Sequence, residues 1–134
     1  MLKTYTGGCH CGAIRFEADI DLTVGTWKCN CTICARNRLW SFEAGSHAVR
    51  LLAGAEYLQD YSFNDHVAHH YFCKRCGVHP YEFVDLPAEN RQYYNVNVNC
   101  VEELDMDAVM AAPIHHVDGL HDRWDRVPAE IRHL

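Results

Sequence analysis

The chain has 134 residues, 18 acidic and 12 basic side chains, and a formal net charge of −6, a length that fits one domain spanning 1–134. An acidic balance with no lysine/arginine stripe disfavours a nucleic-acid partner, and no apolar run approaches the roughly 18 residues of a membrane span. The opening Met1-Leu2-Lys3-Thr4-Tyr5-Thr6-Gly7-Gly8 has no apolar core of an export signal, so a reducing, cytoplasmic setting is expected, where clustered thiols serve as metal ligands rather than disulfides.

Short alternating runs broken by turn residues predict a mainly β domain with little helix. Residues 13–18 alternate, with Ile14 and Phe16 on one face. A second strand is expected over 56–63, with Tyr57, Tyr61 and Phe63 on one face, and a third over 68–72, leading into Cys73. Residues 81–84 make a fourth. The most regular run is 95–100, where Val96, Val98 and Cys100 share the buried face. A helix of about two turns is expected over 102–110 and a last strand over 113–117. Pro128, suited to a first helical position, opens another short helix over 128–134. The expected architecture is small twisted β-sheets clipped by zinc, with the ligands on connecting loops.

Seven of the eight cysteines form three clusters: Cys9 and Cys11 as C-x-C, Cys29, Cys31 and Cys34 as C-x-C-x-x-C, and Cys73 and Cys76 as C-x-x-C. Zinc takes four soft ligands in a tetrahedron, commonly as short-spaced pairs. Cys11 and Cys76 are each followed by glycine, Gly12 and Gly77, which accepts the positive φ of a turn that aims N–H groups at sulfur. Cys34 is followed by Ala35. The glycine-flanked pairs therefore predict one closed structural zinc site of Cys9, Cys11, Cys73 and Cys76.

Cys29, Cys31 and Cys34 remain as an open set, the ligand number of a catalytic zinc. Its fourth position is open to water, a histidine, Cys100 or a substrate thiol, which zinc would hold as the nucleophilic thiolate. Cys100 as the fourth ligand would make a second structural zinc, but beside Val96 and Val98 it reads as a small hydrophobe. Lys28, Arg36 and Arg38 flank the set and suit the carboxylates of an acidic thiol. Trp27, Trp40 and Phe42 wall a pocket or fill the core. His79 and His10 are the candidate proton donors, or else residues that orient the loops.

The segment Gly7-Gly8-Cys9-His10-Cys11-Gly12-Ala13-Ile14-Arg15-Phe16 resembles the opening G-G-C-H-C-G-x-[IV]-R-[FY] of the glutathione-dependent formaldehyde-activating enzyme family, also called the GFA or centromere-protein-V family. The cluster at Cys29–Cys34, the F-C-x-x-C-G-x-H-P at Phe72–Pro80 and the V-N-V-x-C at Val96–Cys100 follow in that family's order, and Asp118-Gly119 with Trp124 resembles its weaker C-terminal signature. The resemblance implies an Mss4-like fold with two zinc ions, structural at Cys9, Cys11, Cys73 and Cys76 and catalytic at Cys29, Cys31 and Cys34. It also implies a carbon–sulfur lyase-type reaction joining a small thiol, glutathione, to formaldehyde as S-hydroxymethylglutathione. Asn30 stands where many relatives carry His or Ser. The alternative from another class is a non-catalytic, zinc-stabilised binding module, in which protein ligands saturate the second zinc.

Overall fold

Alternation of apolar and polar side chains builds ten strands in the computed structural model, which describes residues 1–134. Strands β1 (Lys3–Gly8), β2 (Arg15–Ile20) and β5 (Val49–Ala53) form an antiparallel sheet in the order β1-β2-β5. The other seven are β3 (Thr26–Cys29), β4 (Ser41–Gly45), β6 (Leu58–Tyr61), β7 (Ala68–Cys73), β8 (Tyr81–Leu86), β9 (Arg91–Asn97) and β10 (Ile114–Val117). They form a second sheet in the order β10-β3-β4-β9-β8-β7-β6, antiparallel except where β10 runs beside β3. Two helices of six residues each, α1 (Thr32–Asn37) and α2 (Met106–Ala111), lie between strands. The fold is mainly β, as the sequence predicts, and no helix is long and apolar enough to cross a membrane.

Register decides which residues share a face of the large sheet. Phe42, Val96 and Tyr81 are partners across β4, β9 and β8. All three are buried, and they pack with Phe16, Ala18 and Ile20 of β2 to fill the space between the sheets. Each phenylalanine so buried contributes about 1.5–3 kcal/mol. One residue along each strand, Glu43, Asn95, Glu82 and His70 form a row on the opposite face. Trp27 is the partner of Ser41, two residues before Glu43, so Trp27 and Cys29 belong to that polar face. Cys73 shares its face with Tyr71, which packs on the core. The two cysteine sets therefore sit on opposite faces of one sheet.

Several boundaries differ from the sequence expectation for identifiable reasons. Strand β9 ends at Asn97, whose side-chain oxygen accepts the Asn99 N–H at 3.1 Å and tips 98–100 into a 3-10 turn. Val98 and Cys100 stay buried outside the strand. The run 56–63 is broken by a 3-10 turn at Ala55–Tyr57, leaving a four-residue edge strand on which Tyr61 is 49% exposed. Helix α2 starts late because Asp105 caps it, accepting the Ala108 N–H at 3.1 Å. Residues 128–134 are irregular, with one turn at Arg132–His133, rather than a helix. Strands β1, β3, β4 and β5 and helix α1 are too short or too polar to show a clean period, and their partners hold them in place.

Strand β3 enters beside β10 through Gly25, whose φ of 100° and ψ of −170° are essentially restricted to glycine. A Cβ there would also run into the Pro113 carbonyl oxygen. Gly25→Ala is expected to lower the unfolding free energy in urea by about 1–3 kcal/mol, and Gly45→Ala, which meets nothing within 4 Å, by less than about 0.5 kcal/mol. Equal losses would remove Gly25 as the constraint on this strand.

Arg50 on β5 donates to Glu17 and to both carboxylate oxygens of Asp19 on β2. Hydrogen bonds from Arg50, then Thr4, hold Asp19 down at about 2. A depressed carboxyl adds stability above its unfolded value of about 4 and loses it as pH falls toward about 2. The stability gap between the parent and Arg50→Gln is therefore expected to close over that acid range, read by denaturant unfolding and circular dichroism. A gap independent of pH would assign the Arg50 effect to packing instead.

Candidate metal centres and the polar face beside one of them

Two turns of matching form bring Cys9, Cys11, Cys73 and Cys76 together. Gly12 and Gly77 adopt φ of 80° and 77°, the positive values expected after each second cysteine. In the first turn the Cys9 N–H donates to the Ile14 carbonyl at 3.2 Å, and the Ile14 N–H donates to Cys9 Sγ at 3.3 Å. In the second the Cys73 N–H reaches the Val78 carbonyl at 2.9 Å and the Gly77 N–H the Cys73 carbonyl at 2.8 Å. Cys9 and Cys73 are buried with Ile14 against Tyr57, Leu58 and Val78, while Cys11 faces solvent.

All four sulfurs lie within 4.8 Å of one another. Cys11 Sγ is 3.6 Å from Cys9 Sγ and 3.7 Å from Cys73 Sγ. A tetrahedron with metal–sulfur bonds of about 2.3 Å has edges of about 3.8 Å, whereas a disulfide needs about 2.05 Å. These four thiols are free and fit a tetrahedral ion such as zinc. Their ionisation is shared unequally. Burial opposes it at Cys76, but backbone N–H donors and the neighbouring thiols bring that group down to about 6. Cys11 is pushed up to about 11, since the Ala13 N–H that favours its thiolate is outweighed by desolvation and the three neighbouring thiols. A divalent cation removes this competition by letting every sulfur carry charge.

The second set is assembled by a helix rather than by glycine. Cys29 ends β3, Cys31 caps α1, and Cys34 stands one helical turn later, where the Ala35 N–H donates to the Cys31 carbonyl at 2.9 Å. The Cys31 N–H donates to Cys29 Sγ at 3.3 Å, and the three sulfurs lie within 4.8 Å of one another. Hydrogen bonds from Cys29 and Cys34 bring Cys31 down to about 3, at the expense of Cys29, pushed up to about 11, and of Cys34, raised well above the usual thiol range. No fourth cysteine, histidine or carboxylate joins this group. Cys100 is in the apolar core, its Sγ 3.7 Å from the His79 carbonyl.

Asn30, between two of these cysteines, ties the loop to the end of β10. Its amide donates to Asp118 Oδ1 at 2.8 Å, and its oxygen accepts the Leu120 N–H at 2.9 Å. Asn30 and Asp118 are both buried, and the Asn30 contact first, then His121, keeps Asp118 below the usual carboxylate range against the pull of burial. Gly119 packs on the cluster: a Cβ there would fall 2.5 Å from Cys29 Sγ and 2.8 Å from the Trp124 ring. Asp118, Gly119 and Trp124 thus form one wall of the site. Beyond Trp124 a cleft of about 360 Å³ runs along β10, lined by Trp27, His115 and Arg126, with Trp27 and His115 stacked at 4.5 Å.

Other expected neighbours of the open set lie elsewhere. Lys28 points away from Cys29, over the Trp40 ring, and donates to the Leu134 carbonyl at 3.2 Å. Arg36 donates to Thr32 within its own helix, and Arg38 is exposed at the helix end. Phe42 is core, and the Trp40 indole N–H donates to Thr26 at 2.6 Å. His10 is exposed beside the closed set, and His79 is half-buried against Phe72. Sequence reasoning missed His70, Glu82 and Asn95, which occupy the same sheet face as Cys29. The available signal was a single carboxylate inside the apolar run Tyr81-Glu82-Phe83-Val84.

Residues 4–117 match the family model described as glutathione-dependent formaldehyde-activating enzyme. The fold is similar to the crystal structure of a Rhodobacter sphaeroides protein, with a TM-score of 0.68 and 28% identity over 81% of this chain and 98% of that one. With most of the chain matched and both cysteine sets assembled in space, this protein belongs to the glutathione-dependent formaldehyde-activating enzyme family.

Proposed function

We propose that this protein is a cytoplasmic, zinc-dependent enzyme that forms and breaks a carbon–sulfur bond between a small thiol such as glutathione and an aldehyde such as formaldehyde. One observation carries the reading: Cys29, Cys31 and Cys34 converge on a point that no fourth protein ligand closes. A zinc ion there would keep one coordination position for an incoming thiol and favour its thiolate form. The chain's own part is to hold that position rigid. Asn30 and Asp118 fix the cysteine loop, Gly119 lets the wall approach Cys29, and Trp124 borders the adjoining cleft. Arg126 and His115 line the same cleft and suit the carboxylates of a peptide-like thiol. Cys9, Cys11, Cys73 and Cys76 have the spacing of a closed structural site.

The two sets should respond differently to substitution. Cys31→Ser is expected to reduce zinc from two ions to one per chain and to abolish glutathione binding in calorimetry, with little change in melting. Parental binding by that variant would end the zinc–thiolate reading. Cys73→Ala is expected to lose at least about 3 kcal/mol of stability, because structural zinc binding of about 10–16 kcal/mol is folding free energy. A variant that melted like the parent would remove the structural role.

A further inference from the structure

The polar face of the large sheet holds a group of buried ionisable side chains that packing does not require. His70 on β7 pairs with Glu82 on β8, and Glu82 with Asn95 on β9, so the three side chains leave the sheet side by side. His70 is 3% exposed and Glu82 is 7% exposed. Asn95 Nδ2 donates to Glu82 Oε2 at 3.3 Å. His70 Nδ1 lies 3.3 Å from Glu82 Oε1, out of line for a hydrogen bond, and has no other partner. Phe63 stacks on the His70 ring at 5.6 Å and holds its plane. His79, the neighbouring imidazole, also has its Nδ1 buried without a partner. Burying a carboxylate and two imidazoles is costly where apolar residues of equal volume would pack as well.

These groups share the sheet face that carries Cys29. The Cys34 thiol is raised by Cys29 and Cys31 first and by Glu82 as well, and against the pull of burial His70 is raised by Glu82 and then Cys31. Asn95 and Glu82 are partners across β9 and β8, Phe63 stacks on His70, and Cys34 lies on α1. His10, the other histidine considered from the sequence, lies beside the closed set on exposed surface.

We propose that His70, oriented by Glu82, takes the proton from the incoming thiol and returns it to the hydroxyl of the adduct, a role that rests on the thiol–aldehyde reading above. A rotation of the ring that brings Nδ1–H into line with Glu82 Oε1 makes Nε2 the basic nitrogen. The S–H bond breaks, its proton passes to Nε2, and the sulfur electron pair forms the bond to the carbonyl carbon. The carbonyl π pair moves to oxygen, which takes the proton from Nε2 and becomes the hydroxyl. Nothing is oxidised or reduced, and the reverse reaction uses the same atoms. Glu82 balances the imidazolium charge between the two transfers, and Asn95 is a positioning residue that keeps the carboxylate from turning away.

The test uses the two-zinc protein, glutathione and formaldehyde. Calorimetry in buffers of different ionisation enthalpy counts protons released per glutathione bound, at about pH 7.5 where a free thiol is mostly protonated. The parent is expected to release close to none, and His70→Gln close to one. Exchange between glutathione and its adduct, followed by NMR, is expected to slow about 100-fold or more in kcat for His70→Gln. The KM for glutathione should stay within about threefold and the zinc content unchanged. Glu82→Gln, nearly isosteric, is the second variant: it should lower kcat without moving KM, and Glu82→Asp should recover part of the loss. Parental kcat and proton count in either zinc-loaded variant overturn the His70 assignment alone. Loss of zinc or of folding in both variants overturns it in favour of a structural role. A parent that binds no glutathione overturns the thiol reading and this one with it.

Discussion

Thiols crowded to within 4.8 Å of one another compete for ionisation unless a cation sits among them, and this chain crowds seven of its eight cysteines into two such groups. The closed group joins the turn after β1 to the turn after β7, with Cys11 and Cys73 separated by 62 positions in sequence. It thereby bridges the small sheet and the large one at the edge of their common core. A domain of this size buries only about two-thirds of its unfolded surface, so a cation held by these four thiols would relieve the core of part of its stabilising role. The sulfur spacing, longer than any disulfide and close to a tetrahedral edge, is the physical reason that the group suits a metal.

Because side chains alternate across a strand, one sheet can serve two ends. The face toward β2 carries Phe42, Val96 and Tyr81 and excludes water. The other face carries Glu43, Asn95, Glu82 and His70 in register, with Trp27 and Cys29 beside them. Stability resides mainly on the first face and the open cysteine set on the second, so residues of the second can vary without breaching the core. The last strand belongs to this division. Its parallel pairing with β3 brings Asp118 and Gly119 against the Cys29–Asn30 turn, and the Asn30 side chain locks that junction with two hydrogen bonds.

The membership of the two cysteine sets was legible before any coordinates, and the reason is local. A turn that gathers two thiols is a property of a few consecutive residues, and Gly12 and Gly77 mark it by the φ values they take. Absence of glycine after Cys34 separated the Cys29–Cys34 cluster, whose bend is made by the first turn of α1 instead. Strands with strong alternation, such as those around Phe16, Phe72 and Val96, were also readable. Less legible were β1, β3, β4 and β5, where four to six residues of mixed character gain strand conformation only from a neighbour. The stop at Asn97 and the late start at Asp105 came from side chains that bond nearby N–H groups, a competition that periodicity does not express.

Residue spacing and chemistry alone were enough for a mainly β protein whose thiols gather into one set of four and one of three, both able to hold a metal, because ligand turns and strand alternation are short-range properties. Tertiary structure alone assigned those sets to opposite faces, withdrew Lys28 and Cys100 from the open one, and put His70, Glu82 and Asn95 on the same face as Cys29. Strand register and sheet order arise from pairings between distant segments, and a shift of one residue would exchange the two faces.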